Sequence, residues 1–470
     1  MIKSGIQHFF SCSGVVKPNE QDGTIPPARE LYQDAFHIAW PSVLESVLVT
    51  MISFVDTMMV GVLGPEAISA VGITAQPRLI MLAVILSFNV GVTAVVSRRK
   101  GAEDYEGANH CLKQCVLLST IMSLVLSVLG IVFARPLLLF AGAGNDIIAD
   151  SVDYFRIIMI GLFFNGIGLT INGAQRGVGN TKISMQTNLS ANVVNVIFNY
   201  FLINGAWIFP RLEVRGAAIA TTLGNLVALL LAVVSITHRD GILNILHSSA
   251  SWLPDKRTMK SVWNVGLSAL VEQVCMRVGF FLYAKIVSSL GTTAFATHQI
   301  CLNVLNISFG FGDGLQIAST SLVGQRLGAK RKDLAKLAVA VNQRIGLVIS
   351  TILVIIFVLG RHVILRLFTT DPQIIEQGGV LMIIMAFTIH AQICQVITSG
   401  SLRGAGDTKY TALVSLISIG VLRPLIAYLL CYPLGLGLDG AWYALVIDQF
   451  TRLILVMIRF RRGKWTALVL

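Results

Sequence analysis

Apolar residues run along this chain in long unbroken blocks, such as Met81 to Val96, Cys115 to Phe133 and Val348 to Leu359, separated by short polar breaks. Several blocks reach or approach the roughly 20 residues that carry a helix across a bilayer core. Backbone inside lipid must satisfy its own hydrogen bonds, and the ten-residue alternation of an outer-membrane barrel is absent, so the pattern predicts an all-α polytopic membrane protein. Twelve spans are expected, at 36–60, 72–97, 115–134, 152–174, 183–204, 215–237, 262–288, 295–323, 338–360, 376–400, 409–431 and 438–460.

Composition agrees with that reading: 54% of the 470 residues are hydrophobic and 13% charged, and the mean hydropathy is +0.74. A net charge of +12 raises nucleic acid as a partner, but the basic residues sit in short clusters between apolar blocks and form no stripe on a soluble domain. Topology accounts for them. The connections around Gly64, Gly291 and Leu434 carry no Lys or Arg, whereas the alternate ones hold Arg98, Arg99, Lys100 and Lys113, then Arg239, Lys256, Arg257 and Lys260, then Arg326, Lys330, Arg331, Lys332 and Lys336. By the positive-inside rule both termini are expected in the cytoplasm. The polar first 35 residues contain no signal-peptide core, and a bacterial inner membrane is the expected location. Seven cysteines, with Cys275, Cys301, Cys394 and Cys431 inside predicted spans, offer no disulfide framework. Cys111 and Cys115 beside His110 supply at most three ligands where a closed zinc site wants four, so no metal is assigned there.

One polar turn is written twice: QRGVGNTK at 175–182 and LRGAGDTK at 402–409, with Arg176 and Arg403 separated by 227 residues. The same offset overlays VLGPEAISAVGI at 62–73 on SLGTTAFATHQI at 289–300 and RRKGA at 98–102 on QRLGA at 325–329, and it places Glu45 on Glu272. The chain is therefore read as two copies of a six-helix unit. An even number of helices per copy gives both the same orientation, as parallel repeats with a cavity expected between them. The expected organisation is a tail at 1–35, an amino-terminal lobe at 36–238, a linker at 239–261 containing His247 and Pro254, a carboxy-terminal lobe at 262–460 and a tail at 461–470. GVGNTK lacks the preceding strand and the GK[ST] order of a phosphate-binding loop, so it is read as a tight turn with glycine at positive φ and its arginine at headgroup level.

From about Trp40 to Trp465 the motifs resemble those of the multidrug and toxic compound extrusion (MATE) transporters. They are FVDTMMVGVLG at 54–64, GAQRGVGNTK at 173–182, NVVNVIFNYFLING at 192–205 and EVRGAAIAT at 213–221, then ATHQICLN at 296–303, LVGQRLGA at 322–329, SGSLRGAGDTK at 399–409 and GLDGAWYAL at 437–445. The resemblance implies two six-helix bundles around a cavity that opens alternately to each side. It also implies export of organic cations and amphipathic compounds by antiport with H⁺ or Na⁺, with no other cofactor. Besides the lipid bilayer, small molecules are the expected partners, and the working unit is read as a monomer. A lipid-linked oligosaccharide flippase of the same superfamily and a passive channel are the alternatives. An enzyme would need a constellation of Ser, His, acids or metal ligands at one depth, and the eight histidines are scattered.

Ionisable groups inside spans need a partner or a task. Asp56 has no basic residue three or four positions away, so its carboxyl is neutral, ion-bound or facing water. In the resembling family the matching aspartate belongs to the cation-coupling network. Asn195, Asn199 and Thr221 join it by the same resemblance, with Na⁺ at Asp56 one form of the site, and Asn199 stands where some members carry an acid. Glu272 is the second coupling candidate; its alternative is an ion pair with Arg277 or with a lysine elsewhere, and Gln392 stands where a branch of the family has an aspartate. Glu45 lies eleven residues before Asp56 on the same helix face, either a station on one polar path or a residue at the mouth. Asp313, flanked by glycines, either joins a cavity site or serves the local backbone. Gln299 and Asn303, beside His298, either gate or make structural hydrogen bonds. Asp448 and Arg452 are read as a mutually neutralising i, i+4 pair.

Overall fold

The computed structural model describes residues 11–468 except 13, 62, 64, 145–146, 206–208, 239–240, 247, 250 and 254. Gly64, Arg239, His247 and Pro254 lie outside the described residues.

Among the described residues twelve long helices follow one another: α1 (Ala28–Gly61), α2 (Pro65–Gly101), α3 (Tyr105–Val132), α4 (Ile148–Gly177), α5 (Thr181–Asn204), α6 (Glu213–Thr237), α7 (Lys256–Ser288), α8 (Thr292–Gly328), α9 (Lys332–Leu359), α10 (Pro372–Gly404), α11 (Thr408–Ser415 continued through Leu416–Leu422 and Arg423–Cys431) and α12 (Gly437–Arg461). The expected twelve spans are all present, and only at Phe133 and Gly360 does an expected span run past its helix end. Among the described residues, ten of the twelve are apolar enough to cross a bilayer on hydropathy alone. The other two, α5 and α8, are diluted by asparagines in one case and by glycines, His298, Gln299, Asn303 and Asp313 in the other, and polar residues at membrane depth mark helices with a task. In α11 the seven residues from Leu416 to Leu422 wind as a π-helix immediately before Pro424, whose missing N–H leaves one turn without its usual donor.

Two compact units divide the chain inside helices: one comprises Leu44–Leu267, the other Met1–Val43 with Ser268–Leu470. The break in α1 falls just past Pro41, buried within that helix. Each unit thus contains the opening segment of the other half's first helix. In the first unit the stretch before α7 lies along α3: Asn109 and Gln114 donate to the carbonyls of Ile242 and Leu253 at 3.1 and 2.7 Å, Lys113 donates to Ser248 at 2.9 Å, and Arg99 donates to Thr258 at 2.6 Å. Asp255 caps that helix start, and the N–H and hydroxyl of Thr258 hold its carboxyl below the usual range. In the second unit the stretch before α1 lies along α9 in the same manner, with Lys336 on Glu20 at 2.8 Å, Arg331 and Arg344 on the carbonyls of Thr24 and Ser11 at 2.9 Å, and Arg326, the repeat partner of Arg99, on Asp34 at 2.8 Å. The amino-terminal stretch is therefore the structural counterpart of the linker.

Inside each unit one close helix pair is built on glycine. α4 carries Gly173 and Gly177, and α10 carries Gly400 and Gly404, the close-packing GxxxG spacing of membrane helices. Thr93 on α2 donates to the Gly173 carbonyl at 3.0 Å, and Thr320 on α8 donates to the Gly400 carbonyl at 2.8 Å. A Cβ at Gly404 would lie 2.2 Å from the Thr320 carbonyl oxygen, whereas one at Gly177 would lie 3.0 Å from that of Thr93. Backbone cannot yield as a side chain does. Gly404→Ala is therefore expected to cost about 1–3 kcal/mol through overpacking and to lower folded yield and melting temperature in detergent more than Gly177→Ala; equal melting temperatures would contradict the packing argument.

Candidate functional site

The repeated turn resolves into two functions of its glycines and one of its arginine. The first glycine of each RGxG, Gly177 or Gly404, closes the helix pair described above. The second, Gly179 or Gly406, has φ +86° in both copies, and the chain reverses there through the same bonds, Gly179 N–H to Arg176 O and Gly406 N–H to Arg403 O at 2.9 Å. The arginine does not extend toward headgroups. Arg176 turns inward to Glu45, which also accepts from Asn188 and, at 3.3 Å, from Ser184. Arg403 likewise pairs with Glu272 at 2.7 Å, and Thr411 and Ser415 donate to the same carboxylate at 3.1 and 3.0 Å. The sequence separations are 131, 139 and 143 in both copies. Both glutamates are buried, at 6% and 3% exposure, so each carboxylate has its counter-charge at hand. Glu272 meets Arg403 in place of Arg277, and Arg277 makes no ion pair among the described residues.

Eleven residues beyond Glu45, about one and a half turns short of the end of α1, Asp56 meets α5 again at a separation of 143: Asn199 Nδ2 donates to its carboxylate. Since Glu45 with Asn188 and Asp56 with Asn199 share one separation, α1 and α5 run side by side in the same direction. From Asn199 the bonds continue to Asn195 Oδ1 at 3.4 Å, from Asn195 to Thr221 Oγ1 on α6 at 3.0 Å, and from Thr221 to the Ala217 carbonyl at 3.0 Å. The structure thus brings Asp56, Asn195, Asn199 and Thr221 into one network within a single unit. No lysine or arginine pairs with Asp56 among the described residues, and Asn199 Oδ1 is buried there without a protein partner. The available donors are a carboxylate, amide oxygens and a hydroxyl, the hard oxygen set that suits a proton or an alkali cation.

The other candidates disperse. Gln392 is fully buried and accepts from Ser308 at 2.9 Å. Gln299, Asn303 and Asp313 lie on one exposed face of α8, while His298 faces inward against Tyr283 and Trp442, with ring centroids 5.5 and 5.8 Å away. Asp448 binds Arg452 at 3.2 Å, and also Arg423 through Nε at 3.1 Å, a partner that helix spacing could not show because it sits on α11. All three are buried. Cys111 and Cys115 have sulfurs 3.8 Å apart in the apolar core, and no cluster of three metal-ligating side chains occurs among the described residues.

Comparison with known proteins fits this architecture. The MatE family model matches twice, at residues 41–201 and 268–429, and the two matches begin 227 residues apart. The chain belongs to the MATE family of transporters. Among curated relatives of this MATE protein, it is 27% identical over 438 residues to a probable multidrug resistance protein NorM of Thermotoga maritima, covering 93% of each chain. It is 25% identical to the multidrug resistance protein PmpM of Pseudomonas aeruginosa, over 93% of this chain and 92% of that one. Of solved structures, an outward-facing multidrug resistance MATE transporter of the MOP superfamily superposes with a TM-score of 0.83 at 22% identity, covering 92% of this chain and 95% of that one. A MOP superfamily transporter from Pyrococcus furiosus superposes at 0.86, also with 22% identity, over 93% and 97%. These likenesses establish the twelve-helix fold and an integral membrane protein.

Removing one partner of the Glu272 and Arg403 pair leaves a buried charge without compensation. Arg403→Met is expected to destabilise by about 3–5 kcal/mol, and adding Glu272→Gln to it to recover most of that loss. The check is a double-mutant cycle on thermal unfolding in detergent; additive single losses would show that the two groups do not interact.

Proposed function

We propose that this protein is a secondary multidrug exporter, expelling organic cations and amphipathic compounds by antiport with H⁺ or Na⁺ as its two six-helix lobes alternate in access. The observation that carries the proposal is the Asp56 network: a carboxylate inside a membrane helix, in no ion pair among the described residues and backed by three neutral oxygen-bearing side chains. A carboxylate so placed gains from binding a small cation what it loses by desolvation. Antiport requires that ion and cargo bias the same two-state element with unequal affinities. Neutralising Asp56 removes the attraction for a cationic substrate, so occupancy by one excludes the other. Multidrug resistance in the names of the NorM and PmpM relatives supports the substrate class.

Glu272 enters this reading differently. Its charge is already met by Arg403, so protonating it breaks an ion pair, and coupling through Glu272 acts by freeing Arg403. Glu45 stands in the same relation to Arg176. Gln299, Asn303 and Asp313 supply a polar, exposed face suited to line a watered path for cargo, while Gln392 braces α8 through Ser308. The basic connections support a topology with both termini on the cytoplasmic side of a bacterial inner membrane, and the proposed working unit is the single chain.

The test is purified protein in liposomes, with Na⁺ and pH gradients imposed one at a time, following an ethidium-like cation. Uphill export driven by one gradient is the expected result. Asp56→Asn is expected to reduce it to passive leak and to weaken binding of the organic cation; full uphill export by that variant would remove Asp56 from the coupling role. Transport that follows only the substrate gradient in the unmodified protein would make it a channel.

A further inference from the structure

The two repeats are near copies, so a difference between equivalent places isolates what one half has been shaped to do. In the second unit the space between the start of α11 and the end of α12 is filled. Asp407 is gripped by Arg459 at 2.6 and 3.2 Å, the Arg459 guanidinium lies 5.1 Å from the centre of the Tyr410 ring, and Tyr410 donates to the Leu455 carbonyl at 2.9 Å. Trp465 is fully buried beside them, stacked on Phe460 at 5.3 Å. The equivalent residues of the first unit follow from the 227-residue offset for α5 and from 224 for α6, because Glu213–Thr237 and Gly437–Arg461 are both 25 residues long and begin 224 apart. Asn180 stands for Asp407, Ile183 for Tyr410, Ser235 for Arg459 and Gly241 for Trp465. Every member of the plug is replaced by something smaller or uncharged.

What remains is a cleft of about 650 Å³ lined by those four residues together with Gln175, Gln186, Thr187, Ser190 and His238, within the size range of small-molecule sites. It belongs to the first unit alone. Gln175 is tied to the back wall by bonds to Ser235, 3.1 Å to its hydroxyl and 3.4 Å to its carbonyl, and the His238 carbonyl is held by Asn244 at 2.8 Å, so the walls are set by the protein's own bonds. Ser190 lies nine residues before Asn199, about 13 Å along α5, which separates the cleft from the Asp56 network. Among the described residues no Asp, Glu, Lys or Arg lines it, so the described lining offers a charged guest no opposite charge for the water it would shed. Hydroxyls, amides and carbonyls find matching partners. Leu231 and Val234 on the rim are 39% and 60% exposed, a surface suited to the apolar part of such a guest.

We propose that this cleft is a second binding site, for the uncharged hydroxyl- or amide-bearing head of an amphipathic molecule, with its apolar part laid against the rim of α6. That chemistry has two sources, a neutral lipid of the bilayer or a neutral solute from water. The full-length protein in phosphatidylcholine nanodiscs would be photolabelled with a diazirine-bearing monoacylglycerol and, separately, with a water-soluble diazirine-bearing alkyl glucoside, using a diazirine-bearing phosphatidylglycerol as the charged comparison. Saturable adducts are expected on peptides covering 175–190 and 231–242, from one or both neutral probes; whichever labels at lower concentration identifies the source. Rebuilding the plug with Asn180→Asp, Ile183→Tyr and Ser235→Arg should cut that labelling by about tenfold or more, as filling the volume removes the hydrogen bonds of the guest. Ser190→Trp fills the cleft from the opposite wall and serves if the triple variant does not fold. Absence of saturable labelling by both neutral probes, equal labelling by phosphatidylglycerol, or undiminished labelling of the folded variants would overturn the proposal.

Discussion

A carboxylate buried in a membrane helix must be answered, and in each half of this protein one arginine answers it. That constraint orders much of what surrounds it. For Arg176 to reach Glu45, α4 must end beside α1, which sets where the chain turns and makes the turn tight. For α4 to come that close to α2, the residue after the arginine must be glycine. The Arg403 and Glu272 pair imposes the same conditions on α10, α7 and α8. The polar turn appears twice because it is the joint where ion pair, helix packing and chain reversal meet, and each fold repeat needs one.

Set beside one another, the halves sort their own residues. What they share, the paired glutamates, the GxxxG contacts and the threonine bonds across them, holds a six-helix unit together and says little about chemistry. What they do not share is informative. The position equivalent to Asp56 is Tyr283, which donates to the Ala441 carbonyl at 2.9 Å, and the positions equivalent to Asn199 and Asn195 are Ile426 and Leu422. The carboxylate and amide network therefore exists in one half only. Conversely Asp448 and Arg452 stand where the first half has Gly224 and Ala228, and a Cβ at Gly224 would lie 2.6 Å from the Ala191 carbonyl. A close helix contact in one half is a buried charge cluster in the other.

Much of this was legible in the sequence. Block hydropathy gave twelve helices, and the constant offset gave the repeat, because both depend on long stretches in which errors at single residues cancel. The four residues of the Asp56 network were named through resemblance, and the structure places them within hydrogen-bonding reach of one another. The partner of Glu272 was not found, although both of its determinants were on the page: Glu45 aligned with Glu272 and Arg176 with Arg403. Two opposite charges kept at both copies of a repeat signal a contact, but helix geometry reaches only three or four positions, and these pairs close over 131. The third member of the Asp448 cluster, Arg423, was out of reach for the same reason. The amino-terminal stretch reads as a tail because the groups it meets are far along the chain, Lys336 for Glu20 at a separation of 316 and Arg344 for the Ser11 carbonyl at 333.

The charge left over in each half differs in sign, and this bears on where a small cation would bind. In the second unit Asp448 is shared by Arg423 and Arg452, so the buried cluster carries more positive than negative charge; Glu272 is already matched by Arg403. Bringing Na⁺ or an additional proton there means working against guanidinium groups whose own desolvation has been offset by the carboxylates. In the first unit the Glu45 charge is cancelled by Arg176, and Asp56 forms no ion pair among the described residues, its hydrogen bond coming from the neutral Asn199. If one half offers a vacancy for positive charge and the other a surplus of it, the ion is drawn to the first half. On the proposed reading the second half then contributes through packing and motion, and a symmetric fold can couple a single ion without needing a symmetric site.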